Sequence, residues 1–237
     1  MLARLGPDLA PAGPVFRVNA QVEGDQENIA SAVLPDGSVF CVWQTGAQGF
    51  QKIVGRVLDP AGGFKGAEFP ISVGDGEHQI DPALCVLADG SVVVAWASYR
   101  QAGSFAYDVF GRRLNAAGEA LGEEFRLNAQ TGMGRRSPAL APLPAGGFLA
   151  AWVAERQVGV RNNTDASGRA VPGAGAPVFE VNLVTRPFAA DAGVAGHAHA
   201  HVTEALVELG GAAGRDDVAV DDAEERRQAL ALERVAA

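Results

Sequence analysis

Residues Leu87 to Trp96 read LADGSVVVAW, and the stretch returns as LPDGSVFCVW over Leu34 to Trp43 and as LPAGGFLAAW over Leu143 to Trp152. The copies end on the three tryptophans of the chain, at steps of 53 and 56 residues. Each part has a physical reading. Asp89-Gly90 supplies the positive φ angles of a two-residue type I′ hairpin turn. The strand after it, Ser91 to Trp96, is apolar at nearly every position instead of every second one, which marks a strand covered on both faces. The large ring that closes it suits the space between stacked sheets.

Working outward, two more markers keep the same step. One is FRVNA at Phe16, FPISV at Phe69, FRLNA at Phe125 and FEVNL at Phe179. The other is an arginine ahead of a turn, at Arg4, Arg56, Arg112 and Arg161. In the unit around Trp96, a strand over Pro82 to Leu87 precedes the hairpin. A third follows over Tyr107 to Leu114, ends in a turn at Ala116-Ala117-Gly118, and gives way to a fourth over Glu124 to Asn128. Four strands in about 54 residues match a propeller blade. The predicted fold is therefore all-β: a β-propeller of four-stranded repeats, four-bladed or partial, with a short α-helical C-terminal tail.

The markers divide the chain. Residues 1–185 hold the repeats, as a half blade over 1–20 and full units over 21–73, 74–129 and 130–183. Residues 186–237 form a divergent acidic tail. The first strand due after Asn182 does not arrive, so either the tail pairs with the leading half blade and closes a four-bladed ring, or the repeats belong to a longer array. No aromatic residue follows Ala189, whereas all 16 precede it. The last stretch, over 221–236, reads as a helix with Asp221 as its cap and Glu224 completing a capping box.

The formal charge is −9, and an acidic surface repels phosphate, which speaks against nucleic acid as a partner. The excess sits in the tail: 10 acidic against 4 basic residues from position 189 onward, and 18 against 15 before it. No apolar run approaches the length of a membrane span. The first residues, MLARLGPDLAPAGP, lack the apolar core of a signal peptide. Cys41 and Cys85 are too few for a disulfide scaffold or a four-cysteine zinc site, and both fall in apolar runs as buried thiols, a bridge between them being left open.

Two polar clusters are candidates for chemistry. His197, His199 and His201 alternate along GHAHAH, and on a strand they share one face. With a carboxylate such as Asp191 they suit a zinc, nickel or copper ion, which is the one divalent metal the sequence suggests; no other cofactor is indicated. The loop Gly74 to Asp81 gathers Asp75, Glu77, His78 and Asp81, but its spacing does not fit an EF-hand. Its counterparts, over 23–27 and 131–136, change sign from acidic to basic, so it reads as a polar connection. No nucleophile elbow, zinc-protease motif, P-loop or dinucleotide fingerprint stands in proper context, and no catalytic residue is assigned.

The repeated motifs resemble a bacterial repeat of large secreted calcium-binding and adhesin-like proteins, with the pattern F-x-V-N, Pro-x-apolar, L-x-D-G, then W, then G-x-R and D-x-x-G. Residues 16–183 match it through Phe16, Asn19, Asp36, Gly37, Trp43, Gly55, Arg56, Asp59, Gly62 and their counterparts. The third unit departs at Ala145 and around Val160. The resemblance implies a propeller-like fold, an extracellular or secreted location, and an adhesive or ligand-presenting role. It brings no functional residues and is silent on calcium.

The leading expectation is thus a non-enzymatic binding or scaffold module that presents loops to a glycan or protein partner, with association of copies through open blade edges. A carbohydrate-active hydrolase or lyase with a central propeller site is the alternative. A third reading is a metal-binding protein using His197 to His201. Convergence separates the first two: an enzyme brings a carboxylate pair, or a histidine and acids, from different blades into one place.

Overall fold

The computed structural model of the chain describes residues 8–10, 13–129, 131–144, 146–158, 161–172 and 179–183. These form three antiparallel four-stranded sheets. The first holds β1 (Asp25–Val33), β2 (Val39–Gly46), β3 (Lys52–Leu58) and β4 (Phe69–Pro70). The second holds β5 (His78–Val86), β6 (Val92–Tyr99), β7 (Tyr107–Leu114) and β8 (Phe125–Arg126). The third holds β9 (Arg135–Pro142), β10 (Gly147–Val158), β11 (Arg161–Pro172) and β12 (Phe179–Leu183). Each sheet is a meander in chain order. The first strands of successive sheets pack on one another, β1 on β5 and β5 on β9. This is the all-β, propeller-type arrangement that the repeat predicts, and the sheets are called blades 1, 2 and 3 below. The predicted helix over 221–236 and the tail on which ring closure was read lie outside the described residues.

The central strand of each blade is covered on both sides, as its unbroken apolar sequence requires. In β6, Val92 to Ala97 are fully buried. Val92, Val94 and Trp96 face blade 1 and meet Phe40, Val42, Ile53 and Ile71. Val93 and Ala95 face blade 3 and meet Phe148, Ala150 and Trp152. Trp43 packs with Phe16 and Val18 from the segment before blade 1. Each tryptophan thus points toward the preceding unit and fills the gap there. Burying such a ring contributes about 2–3 kcal/mol or more. Cys41 and Cys85 lie in these packed faces as free, buried thiols.

The turn chemistry differs from the prediction. Gly90 has a positive φ of 79° while Asp89 has none, and two backbone bonds, Gly90 N to Leu87 O and Leu87 N to Ser91 O, close the turn. That is a type I turn followed by a glycine bulge, not type I′. The aspartate instead anchors the start of the next strand. Asp89 Oδ1 accepts from the Ser91 amide at 3.0 Å and the Ser91 hydroxyl at 2.6 Å. Asp36 treats Ser38 the same way.

The remaining markers hold blades together. Arg56 donates to the Val18 carbonyl at 2.8 Å, Arg112 to that of Ile71 at 3.0 Å, and Arg169 to that of Leu127 at 3.0 Å. In each case the acceptor is the third residue of the preceding F-x-V-N motif. The third-unit arginine is therefore Arg169 and not Arg161. Gly168-Arg169 on β11 stands where Gly55-Arg56 and Gly111-Arg112 stand on β3 and β7, and Val160 lies outside the described residues. The motif glycine has its own reason. Gly55 pairs with Phe69 and Gly111 with Phe125, and the phenylalanine ring lies over the bare backbone. The motif asparagine closes the blade edge: Asn128 Oδ1 accepts from the Val109 amide at 2.7 Å, a place Ser72 takes in blade 1 by accepting from the Ile53 amide at 2.8 Å.

Candidate active site

The inner strands share an irregularity. The register slips between Glu27 and Ala30 on β1, between Ile80 and Ala83 on β5, and opposite Ala151 to Val153 on β9. In each bulge one residue takes a left-handed backbone: Asn28 at φ 52°, Asp81 at φ 55° and Ser137 at φ 52°. A non-glycine residue there costs about 1–2 kcal/mol, least for asparagine and aspartate. Such strain persists where the surroundings hold it, and it gathers at functional sites.

The three bulges meet through their side chains. Asn28 Nδ2 donates to Asp81 Oδ1 at 3.2 Å, and Ser137 Oγ donates to Asp81 Oδ2 at 3.1 Å. Blades 1, 2 and 3 each contribute one group to this contact. Gln44, buried on β2, joins it to a second carboxylate. Its Oε1 accepts from the Asp81 amide at 3.1 Å and from Asn28 Nδ2 at 3.0 Å, and its Nε2 donates to Glu27 Oε2 at 3.0 Å. Gln51 Nε2 donates to the same oxygen at 3.3 Å.

Behind Gln51 stand His78 and Tyr107. Because the Gln51 amide nitrogen is spent on Glu27, its Oε1 accepts, so His78 Nε2 carries the proton that it donates there. His78 Nδ1 is then the acceptor for the Tyr107 hydroxyl at 2.7 Å. Burial pushes the His78 pKa below its ordinary 6.5, against the pull of Asp81 and Glu27 in the opposite direction. Burial also raises the Tyr107 hydroxyl. Both groups are held neutral, as the direction of these bonds requires. Blade 3 adds the Arg136–Glu155 pair at 2.6 Å, beside Ser137. Donors from several strands therefore converge on two carboxylates, Glu27 from blade 1 and Asp81 from blade 2.

The loop read as a polar connection is in part this site. His78 and Asp81 belong to the network, while Asp75 accepts from the Ala102 amide and Glu77 pairs with Arg100. Its counterparts change sign because they are not copies of one site: three unlike stretches supply different parts of a shared one. Asn28, Gln44, Gln51, Tyr107 and Ser137 carried no motif. The signal that could have found them is the step from residue 28 to 81 to 137, which equals the step between tryptophans. His197, His199, His201 and Asp191 lie outside the described residues.

At the opposite end of blades 1 and 2 lies an open groove of about 570 Å³, lined by Leu34, Asp36, Asp89, Asn115 and Leu121 among others. Its acids are already engaged. Hydrogen bonds from Lys65 and Ser38 hold Asp36 at about 2, and Ser91 and Arg113 hold Asp89 low. The groove has volume without convergent chemistry, and the bulge network has the chemistry.

No protein-family model matches the chain, and no curated protein matches it. Among solved structures, the fold is similar to an endo-arabinase from Bacteroides thetaiotaomicron, at 14% identity and a TM-score of 0.53, over 75% of this chain and 68% of that one. A thermostable family-43 glycoside hydrolase is similar at 11% identity and a TM-score of 0.48, over 66% of this chain and 54% of that one. An endo-1,4-beta-xylanase from Bacteroides thetaiotaomicron follows at 12% and 0.46, over 74% and 65%. The likeness to the endo-arabinase supports the propeller-type fold.

These findings correct the leading expectation. The non-enzymatic module rested on loops exposed by stacked sheets and on the adhesin-like resemblance. Glu27 and Asp81 do converge through Gln44, and a solved structure of similar fold is an endo-arabinase. The non-enzymatic reading does not stand.

Proposed function

We propose that the chain is a carbohydrate-active hydrolase acting at the bulges of its inner strands. The observation that carries this is the meeting of two carboxylates from neighbouring blades, Glu27 and Asp81, in one hydrogen-bonded network, with Asp81 and its partners Asn28 and Ser137 on left-handed backbone. Cleaving a glycosidic bond takes one group that protonates the leaving oxygen and one carboxylate that attacks the sugar or activates water. Asp81 has both oxygens filled by donors, Asn28 and Ser137, which fixes its orientation as the attacking or water-activating carboxylate. Glu27 receives both of its amide donors on Oε2, so Oε1 is the position for the transferred proton. Gln44 holds the two groups in a fixed relation, and Gln51 with His78 and Tyr107 buttresses Glu27 from behind.

The fold shared with an endo-arabinase makes arabinan the first substrate to try. The resemblance of the repeats to secreted bacterial proteins supports action outside the cell, where polysaccharides are met. Incubating the protein with arabinan and a panel of other neutral polysaccharides, and measuring reducing ends over time, tests the proposal. Steady release from at least one is expected. A panel left intact overturns it.

A further inference from the structure

We propose that blade 2 binds a calcium ion in a buried row of oxygen donors apart from the two carboxylates above. The row crosses the sheet through Gln79 on β5, Ser98 on β6 and Asp108 on β7, and Asn128, just past β8, braces it through its amide nitrogen. Gln79 is paired with Ser98, and Ser98 with Asp108. Directly paired residues on neighbouring strands project to the same face. All four are closed off, with exposures of 0, 0, 0 and 1%. Asn128 Nδ2 donates to Asp108 Oδ1 at 2.7 Å and fixes that carboxylate in place.

Several polar atoms in the row have no partner among the described residues: Asp108 Oδ2, Ser98 Oγ and both amide atoms of Gln79, with Gln101 Oε1 beside them. Leaving these groups buried without partners is unfavourable, and most of all for the carboxylate. None of the ion pairs among the described residues includes Asp108. The overlying loop approaches the row closely through two glycines. A Cβ on Gly76 would lie 2.1 Å from Ser98 Oγ and 3.1 Å from Gln79 Nε2, and one on Gly74 would lie 2.2 Å from Gln101 Nε2.

Blade 1 supplies the comparison. Thr45 is paired there with Lys52 as Ser98 is with Asp108. The row in blade 1 therefore carries its own positive charge, and the Lys52 amine donates to the Gly76 carbonyl. Blade 2 has a carboxylate at the same place. The unpartnered oxygens beside it are a hydroxyl and two amide carbonyls, with no sulfur or imidazole among them. That set suits a hard cation that takes carboxylate, amide and hydroxyl oxygens together with water. A single carboxylate makes the site a weak one, with a dissociation constant on the order of 10⁻⁴–10⁻³ M.

Titrating the full chain with calcium, while following its thermal midpoint, tests this without reference to hydrolysis. Terbium is the second probe, since Trp96 lies two residues from Ser98 on the same face and can sensitise its emission. The wild type is expected to gain roughly a few degrees at millimolar calcium and to show tryptophan-excited terbium emission that calcium displaces. Asp108→Asn should lose both responses, and Ser98→Ala should weaken them even if the first variant folds poorly. No calcium shift and no terbium emission in the wild type would mean that water alone fills the row, which overturns the proposal. Binding undiminished in both variants overturns it equally.

Discussion

Arg112 donates from Nη1 to the carbonyl oxygen of Ile71 at 3.0 Å, and so ties the third strand of blade 2 to the segment that follows the outer strand of blade 1. The bond joins two motifs that repeat in register along this chain, the glycine-arginine pair and the F-x-V-N run. It recurs between Arg56 and Val18 and between Arg169 and Leu127. Truncating the arginine leaves a partly buried carbonyl without its charged donor. Arg112→Ala is expected to lower the unfolding free energy by about 1–3 kcal/mol, measured by urea denaturation. An unchanged midpoint would mean that the blades hold together by apolar packing alone.

The motif glycine allows a sharper contrast. A Cβ on Gly55 would lie 2.8 Å from the Phe69 ring and 2.9 Å from Ile71 Cδ1, whereas one on Gly66 meets nothing within 4 Å. Gly55→Ala is therefore expected to destabilise by about 1–3 kcal/mol through overpacking. Gly66→Ala should stay within about 0.5 kcal/mol of the wild type. Thermal or urea unfolding of the two variants side by side checks this; equal effects would contradict the close approach of the ring.

The difference between these two glycines shows how far the sequence could be read. Trp43, Trp96 and Trp152 repeat because each gap between units needs a large ring, and packing of that kind leaves a periodic trace. The blade, its four strands and the doubly covered β6 are legible for that reason. The turn type was not, because Asp-Gly serves both a type I′ turn and a type I turn with a glycine bulge, and only the backbone bonds of Leu87 decide. The arginine of the third unit was misplaced because Arg161 also precedes a turn-like run, whereas pairing across β10 and β11 selects Arg169. The site was least legible. Asn28, Asp81 and Ser137 are unlike residues in equivalent bulges, so no residue type repeats. What repeats is a backbone conformation, which a sequence does not display.

The cysteines offer a simple check of the packed faces. Burial pushes Cys41 up to about 11 and Cys85 up to about 12, so neither is a thiolate at neutral pH. In the native protein both should resist alkylation by iodoacetamide, and both should react once the chain is unfolded, as mass spectrometry can count. Rapid labelling of native Cys85 would contradict its place between blades 2 and 3.

His78 gives the stability a pH dependence whose sign follows from its burial. Its folded pKa lies below the ordinary 6.5, so between the two values the unfolded chain binds more protons. The contribution is fully present above 6.5 and is lost as the pH falls through the folded value. The unfolding free energy should therefore rise with pH from about 5 to 7, and His78→Gln should flatten that rise. Urea denaturation across the range measures both chains; an identical slope in the variant would place the titration elsewhere.

Asp81 is the residue that Asn28 of blade 1 and Ser137 of blade 3 both address, and the proposed hydrolysis depends on it. The most direct measurement is the rate of reducing-end release from arabinan by the wild type and by Asp81→Asn, with thermal unfolding of each as the control for folding. The wild type is expected to cleave, and the variant to lose roughly 10²-fold or more of that rate with its melting midpoint little changed. Cleavage undiminished in a folded Asp81→Asn protein would contradict the placement of the site, and arabinan left intact by the wild type would contradict it as an arabinan hydrolase.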